Sequence, residues 1–146
     1  MPIADLDDFA ALEPFFQIIK DGLGDLVDDV HFFDILSKDV VVDYVITVPG
    51  YPRRVQGRKA VAELYRPYGD LIQLDRCFDL AVHRDPATGT VVLEYASEGR
   101  TVQDDRPYAN RYVSVLTISD RLVTRWRDYL DPLAVFDALG WPETDT

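Results

Sequence analysis

The sequence predicts an α+β fold, with helices packed against one face of a curved antiparallel sheet. Three observations carry this. Helical periodicity is confined to the first part of the chain, ending near Tyr68. Long runs of alternating character then fill Leu71 to Leu130, joined by short connections that make neighbours antiparallel. Finally, Asp131-Pro132 breaks the last run cleanly into a helix, with an acid at the cap and proline at the first helical position.

The elements follow in order. Asp5 can cap a first helix over about Leu6 to Lys20, because Leu6, Phe9, Leu12, Phe16 and Ile19 recur at helical spacing. Asp21-Gly-Leu-Gly24 ends it. A second helix, about Asp25 to Ser37, places Leu26, Val30 and Phe33 on one face. Val40 to Val48 is β-branched and predicts a strand with Val42, Tyr44 and Ile46 on one side and Asp43 opposite. Pro49-Gly-Tyr-Pro52 is a turn, Arg53 to Gln56 a short strand, and Gly57 to about Tyr68 a third helix. Four strands follow: Leu71 to Arg84, Thr90 to Arg100, Tyr108 to Ser119, and Leu122 to Leu130. The last helix runs to about Leu139 and stops at Gly140.

The 146 residues predict a single domain, 1–146, and 47% hydrophobic residues can supply its core. Acids outnumber bases 26 to 15, a net charge of -11. This opposes nucleic acid or an anionic membrane as partner. No apolar run approaches a membrane span, and the acidic stretch Met1 to Asp8 lacks a signal peptide's basic start, so a cytoplasmic location is expected. The lone Cys77 excludes an internal disulfide. His31, His83 and Cys77 are too scattered for a metal site and the sequence has no phosphate-binding glycine loop, so neither metal nor organic cofactor is expected.

Strand parity separates two faces. Glu94, Glu98, Arg111, Arg125 and Arg127 make a plausible outer ladder of charge. The inner face then holds Tyr95, Ser97, Asn110, Tyr112, Ser114, Trp126 and Asp128. A carboxylate on a mostly apolar face should titrate high, since desolvation penalises the anion. Asp128 is therefore the candidate acid or base. Asn110, Tyr112 and Tyr95 are candidates to bind an oxyanion or orient a substrate, with Ser97 and Ser114 beside them. Tyr44, Tyr65, Tyr68 and Trp126 would shape apolar walls. Arg76 falls on the apolar face of its strand, with Ile72, Leu74 and Phe78. It either pairs with Asp128 or is turned outward by a β-bulge, and both readings stay open. Asp128 can equally be an anchor for Arg76 or a tyrosine hydroxyl. His31 and Cys77 read as packing residues, and His83 as solvated.

Pro107-Tyr-Ala-Asn-Arg-Tyr112, Arg125-Trp-Arg-Asp-Tyr-Leu-Asp-Pro132, Ala138-Leu-Gly140 and Pro49-Gly-Tyr-Pro-Arg-Arg-Val-Gln-Gly57 together resemble SnoaL-like proteins. These belong to the nuclear-transport-factor-2-like superfamily, with ketosteroid isomerase, limonene epoxide hydrolase and polyketide cyclases. The resemblance spans nearly the whole chain. It implies a cone-shaped sheet with N-terminal helices on its concave face, a deep pocket for a hydrophobic small molecule, and a homodimer formed through the outer face. The Trp-Arg-Asp segment is similar to that of limonene epoxide hydrolase, whose aspartate there acts on water, which implies a base role for Asp128. The hydrolase's arginine and second aspartate are replaced by Tyr95 and Ser97, and its water-holding tyrosine and asparagine by Val42 and Tyr44. The isomerase base position falls near Tyr44, and Phe16 stands where its helix would offer a tyrosine. The expectation is a cofactor-independent acid–base enzyme of isomerase, cyclase, dehydratase or hydrolase type. The alternative is a ligand-binding or dimeric scaffold protein of the same fold without chemistry.

Overall fold

The computed structural model describes residues 3–46 and 48–140. Six strands form one open sheet in the order β2-β1-β6-β5-β4-β3, with β1 Leu36–Tyr44, β2 Arg54–Gln56, β3 Ile72–Asp85, β4 Thr90–Thr101, β5 Pro107–Ser119 and β6 Leu122–Leu130. Helices α1 Glu13–Leu23 and α2 Arg58–Tyr65 precede the long strands, and α3 Pro132–Leu139 follows them. The α+β expectation holds, with one correction to its sheet. β1 runs parallel to β6, so the sheet is mixed, while every other neighbouring pair is antiparallel. Short connections set the antiparallel pairs, whereas β1 reaches β6 across most of the chain, and no hairpin constrains its direction.

The N-terminal part departs from the predicted long helices. Leu6–Leu12 is a 3-10 segment, and the α-helix begins only at Glu13. Pro14 lacks the N–H that would bond four residues back, and Glu13 N–H instead reaches the Ala10 carbonyl in the tighter 3-10 pattern. Asp5 has φ 57° and makes no side-chain cap. The helix predicted over Asp25 to Ser37 is replaced by two 3-10 turns, Gly24–Leu26 and Phe32–Ile35. Phe32 and Phe33 are adjacent yet both buried. Phe32 stacks on Phe16 at 4.5 Å between centroids, and Phe33 meets Phe9 edge-on at 4.7 Å. One amphipathic helix face cannot direct neighbouring rings both ways. His31 caps this turn by accepting the Phe33 N–H, and its ring packs against Phe16 and Phe33.

β1 accordingly starts four residues earlier than predicted and ends at Tyr44. The predicted parity survives the shift, since Val40, Val42 and Tyr44 are all buried. Thr47, inside the strand as predicted from sequence, lies outside the described residues, as does Met1 of the N-terminal stretch. α1 lies across the concave face of the sheet. Its Gly22 allows the approach, because a Cβ there would stand 2.6 Å from Leu93 Cδ2. Asp131 caps α3 through the Leu133 N–H at 2.9 Å, as its sequence position predicts. Among the described residues, no helix is long and apolar enough to cross a membrane.

The outer face carries ion pairs with partners other than those expected. Glu98 pairs with Arg76 at 2.9 Å, and Glu94 shares a hydrogen bond of 2.9 Å with His83 Nε2, both partners coming from β3 rather than being Arg111. The β4–β5 register places Arg111 opposite Ala96, diagonal to both glutamates. At the other edge, Asp43 holds Arg54 at 2.6 Å and Arg125 at 3.3 Å, and these two guanidinium groups lower its pKa.

Candidate active site

The sheet register assembles the centre of the site. Tyr44 on β1 and Ser114 on β5 both lie opposite Asp128 on β6. The three therefore form one row across the sheet, on its concave side. Ser114 Oγ donates to Asp128 Oδ1 at 2.7 Å, and Trp126 Nε1 donates to the same oxygen at 3.0 Å. Among the described residues, Asp128 Oδ2 receives no hydrogen bond. Burial raises the carboxyl pKa to about 6, against the lowering effect of the Trp126 and Ser114 bonds.

Asp128 lines a cavity of about 350 Å³ between the sheet, α1, α2 and α3. Apart from Ser97 and Cys77 its wall is otherwise apolar or phenolic, and among the described lining residues Asp128 is the one that carries a charge. Of the residues singled out from the sequence, Tyr44, Tyr65, Tyr68, Ser97 and Tyr112 line it. Tyr44 donates to the Tyr65 hydroxyl at 3.2 Å, which leaves the Tyr65 proton free to be donated. Burial pushes the pKa values of Tyr44, Tyr65, Tyr68 and Tyr112 well upward, so these phenols remain protonated donors. Tyr44, Tyr51, Tyr65 and Tyr108 line the same cavity as Asp128, and its charge adds to the rise of their pKa values.

Other predicted residues stand behind the wall. Tyr95 is buried, its hydroxyl 2.8 Å from Ser114 Oγ, so Tyr95, Ser114 and Asp128 form one chain of hydrogen bonds. Trp126 is buried too and backs the carboxylate. Asn110 has all its capacity in use. Its amide donates to Tyr108 Oη and the Asp131 carbonyl, and its carbonyl accepts from the Arg111 and Asp131 N–H groups. An oxyanion would find no free proton on it. Asn110 instead ties the start of β5 to the start of α3 and steadies Tyr108, which is 3.1 Å from the Tyr112 hydroxyl.

Arg76 is corrected outright. A register shift between Leu74 and Arg76 turns it to the outer face, where it bonds Glu98 and lies 4.0 Å from the Phe78 ring centroid. Of the two readings left open by the sequence, the bulge is the one found, and Asp128 has no cationic partner among the described residues.

Sequence reading missed part of the wall. Phe15 supplies the floor, with its ring centroid 6.2 Å from that of Tyr65 and 6.0 Å from that of Trp126. It stands three residues after Leu12 and four before Ile19, at helical spacing, so the periodicity that selected Phe16 could also have found it. Tyr51 comes from the Pro49–Pro52 turn and meets Tyr44 edge-on at 4.9 Å. Tyr108 shares parity with Tyr112, a signal that could have found it. Cys77 also lines the cavity, and burial raises its thiol pKa to about 12.

No protein-family model matches the chain. Among curated proteins, it is similar to the uncharacterised protein YesE of Bacillus subtilis, 28% identical over 107 residues that cover 73% of each chain. A candidate isomerase from Bacillus subtilis superposes with a TM-score of 0.73 at 24% identity, covering 92% of this chain and 89% of that one. A nuclear-transport-factor-2-like protein from Burkholderia xenovorans superposes with a TM-score of 0.64 at 18% identity, covering 94% and 99%. This chain has the nuclear-transport-factor-2-like fold. A protein of Catenulispora acidiphila with a ketosteroid-isomerase-like fold, in complex with trimethylamine, superposes with a TM-score of 0.63 at 15% identity, covering 86% and 94%. At these identities the likeness concerns the nuclear-transport-factor-2-like scaffold, and activity must be argued from the site.

Proposed function

We propose that this protein is a small-molecule enzyme of isomerase or cyclase type, in which Asp128 moves a proton within an apolar cavity. One observation carries the reading. Asp128 presents an uncommitted oxygen to a largely apolar cavity, and its pKa near 6 lets it hold or release a proton close to neutrality. The names of structural neighbours, a candidate isomerase and a ketosteroid-isomerase-like protein, support small-molecule chemistry on this scaffold.

The chemistry suited to these groups is proton transfer beside a carbonyl. Asp128 as carboxylate takes a proton from the carbon next to the carbonyl, and the electron pair moves onto the carbonyl oxygen. The Tyr65 hydroxyl, oriented by Tyr44, donates a hydrogen bond to that developing oxyanion. Protonated Asp128 then returns the proton to another carbon, or the enolate carbon attacks a second carbonyl to close a ring, the π pair of that carbonyl moves to its oxygen, and protonated Asp128 gives its proton to the alkoxide so formed. A positioned acid or base of this kind contributes roughly 10²–10⁴-fold. Ser114 and Trp126 hold the carboxylate in place and limit its pKa rise.

The test is to incubate the protein and Asp128→Asn with enones and diketones in deuterated water and follow them by mass spectrometry. Deuterium uptake, isomerisation or ring closure by the wild type that is lost in the variant supports the proposal. If no compound changes in an Asp128-dependent way, including in an extract of native metabolites, the cavity is a binding site without chemistry.

A further inference from the structure

The cavity contains an unbalanced charge. Its walls offer aromatic rings from four directions: Phe15 on α1, Tyr44 on β1, Tyr65 on α2 and Tyr112 on β5. Tyr51 closes the side beyond the end of β1. Into these rings projects the Asp128 carboxylate. Both of its protein hydrogen bonds fall on Oδ1, and Oδ2 faces the cavity without a described partner. The titratable groups that line the cavity with it are the phenols of Tyr44, Tyr51, Tyr65, Tyr68, Tyr108 and Tyr112 and the Cys77 thiol from β3, with the Tyr95 phenol behind Ser114. All of these have raised pKa values and are neutral near pH 7. No described lining residue is a lysine, arginine or histidine.

A carboxylate in such surroundings gains most from a ligand that brings its own positive charge. The rings suit the same ligand, because the negative face of an aromatic ring attracts an ammonium group, the more so when it is desolvated. An anion would suffer the opposite: repulsion from Asp128 and no cation to receive it. We propose that the cavity binds lipophilic monoamines as ammonium ions, with the N–H donated to Asp128 Oδ2 and the hydrocarbon part against the Phe15, Tyr44 and Tyr65 rings. A tertiary amine fits best, since it has one N–H for one free carboxylate oxygen and alkyl groups for the aromatic wall. This goes beyond the proton-transfer reading. It requires only that Asp128 be an anion facing the cavity, and it stands or falls separately from turnover.

The probe is N,N-dimethylcyclohexylamine, compared by isothermal titration calorimetry with the neutral ketone cyclohexyl methyl ketone. At pH 8 the amine should bind at least about tenfold more tightly than the ketone. Asp128→Asn should remove that advantage and leave ketone affinity little changed. Its side-chain carbonyl can still accept from Ser114 and Trp126, so the wall is retained. A second measurement needs no variant. Lowering the pH of the wild type from 8 to 5 should weaken amine binding about tenfold as Asp128 takes up a proton, with the ketone unaffected. Equal affinity for amine and ketone, or an amine preference that survives in Asp128→Asn, would overturn the proposal. Amine binding by a protein that exchanges no deuterium would sustain this inference while removing the catalytic one.

Discussion

Ser114 and Asp128 face each other across the β5–β6 ladder, and the serine hydroxyl gives its proton to the carboxylate at 2.7 Å. Ser114 is fully buried and also meets the Tyr95 hydroxyl. The contact thus links the Asp128 carboxylate, through Ser114 on β5, to the Tyr95 phenol on β4. It also restrains the carboxyl pKa, since a hydrogen bond to the charged form favours that form.

Removing the hydroxyl should therefore raise the Asp128 pKa above its value of about 6. A hydrogen bond to a charged group contributes roughly 1.5 kcal/mol or more, which corresponds to about one pH unit. In Ser114→Ala, the rise of kcat/KM with pH should move upward by about that amount. NMR titration of the labelled Asp128 carboxyl gives the same midpoint without a substrate. An unmoved midpoint would remove Ser114 from the tuning of the site.

Asp128 should also leave a signature in stability. Its folded pKa of about 6 lies above the ordinary 3.8, so between these values the folded state holds a proton that the unfolded state has lost. Stability then falls as pH rises through this window and levels off above it. About two pH units correspond to on the order of 3 kcal/mol. Asp128→Asn keeps an acceptor for Ser114 and Trp126 but never ionises. Urea denaturation should find the variant more stable than wild type at pH 8, with the difference shrinking toward pH 4. Parallel pH profiles for the two proteins would mean that the carboxylate is not desolvated.

The long strands and their parity were legible because alternation is a local signal. Leu122 to Leu130 has the predicted bounds, and the inner positions Tyr95, Ser97, Asn110, Ser114 and Trp126 are buried as expected. The N-terminal third was not legible, because Phe32 and Phe33 are placed by rings on α1 and the preceding turn, distant in sequence. The position of Arg76 hinges on a one-residue slip between β3 and β4, which no parity count along β3 can show. Asn110 was found by position but its role was not, because two of its four bonds go to Asp131, which is distant in sequence and brought beside it only by the pairing of β5 with β6.

That slip has a testable hinge at Gly99, which lies opposite Leu74. A Cβ at Gly99 would run into the Gln73 carbonyl oxygen and come within 2.9 Å of Leu74 Cα. Both are backbone atoms and cannot swing aside. Gly99→Ala should therefore push β3 away from β4 and cost at least about 2 kcal/mol, within the range for overpacked sites. Urea unfolding measures it, and a loss below about 0.5 kcal/mol would show that the strands can separate there without penalty.

Asn110 and Asp131 meet at the junction of β6 and α3, and their substitutions should differ in size. Asp131 supplies a side-chain cap to Leu133 N–H on the surface, so Asp131→Ala should cost about 1 kcal/mol. Asn110 satisfies the N–H and the carbonyl of Asp131 together with the Tyr108 hydroxyl, in a buried place. Asn110→Ala strands these groups and should cost several kcal/mol, at about 1–3 for each left unpaired. α3 carries Val135 and Phe136 to the cavity, so loosening its start should also weaken ligand binding. Paired unfolding and binding measurements decide the matter. If Asn110→Ala kept full stability while abolishing turnover, Asn110 would be a participant in the chemistry rather than the clamp that holds α3 over it.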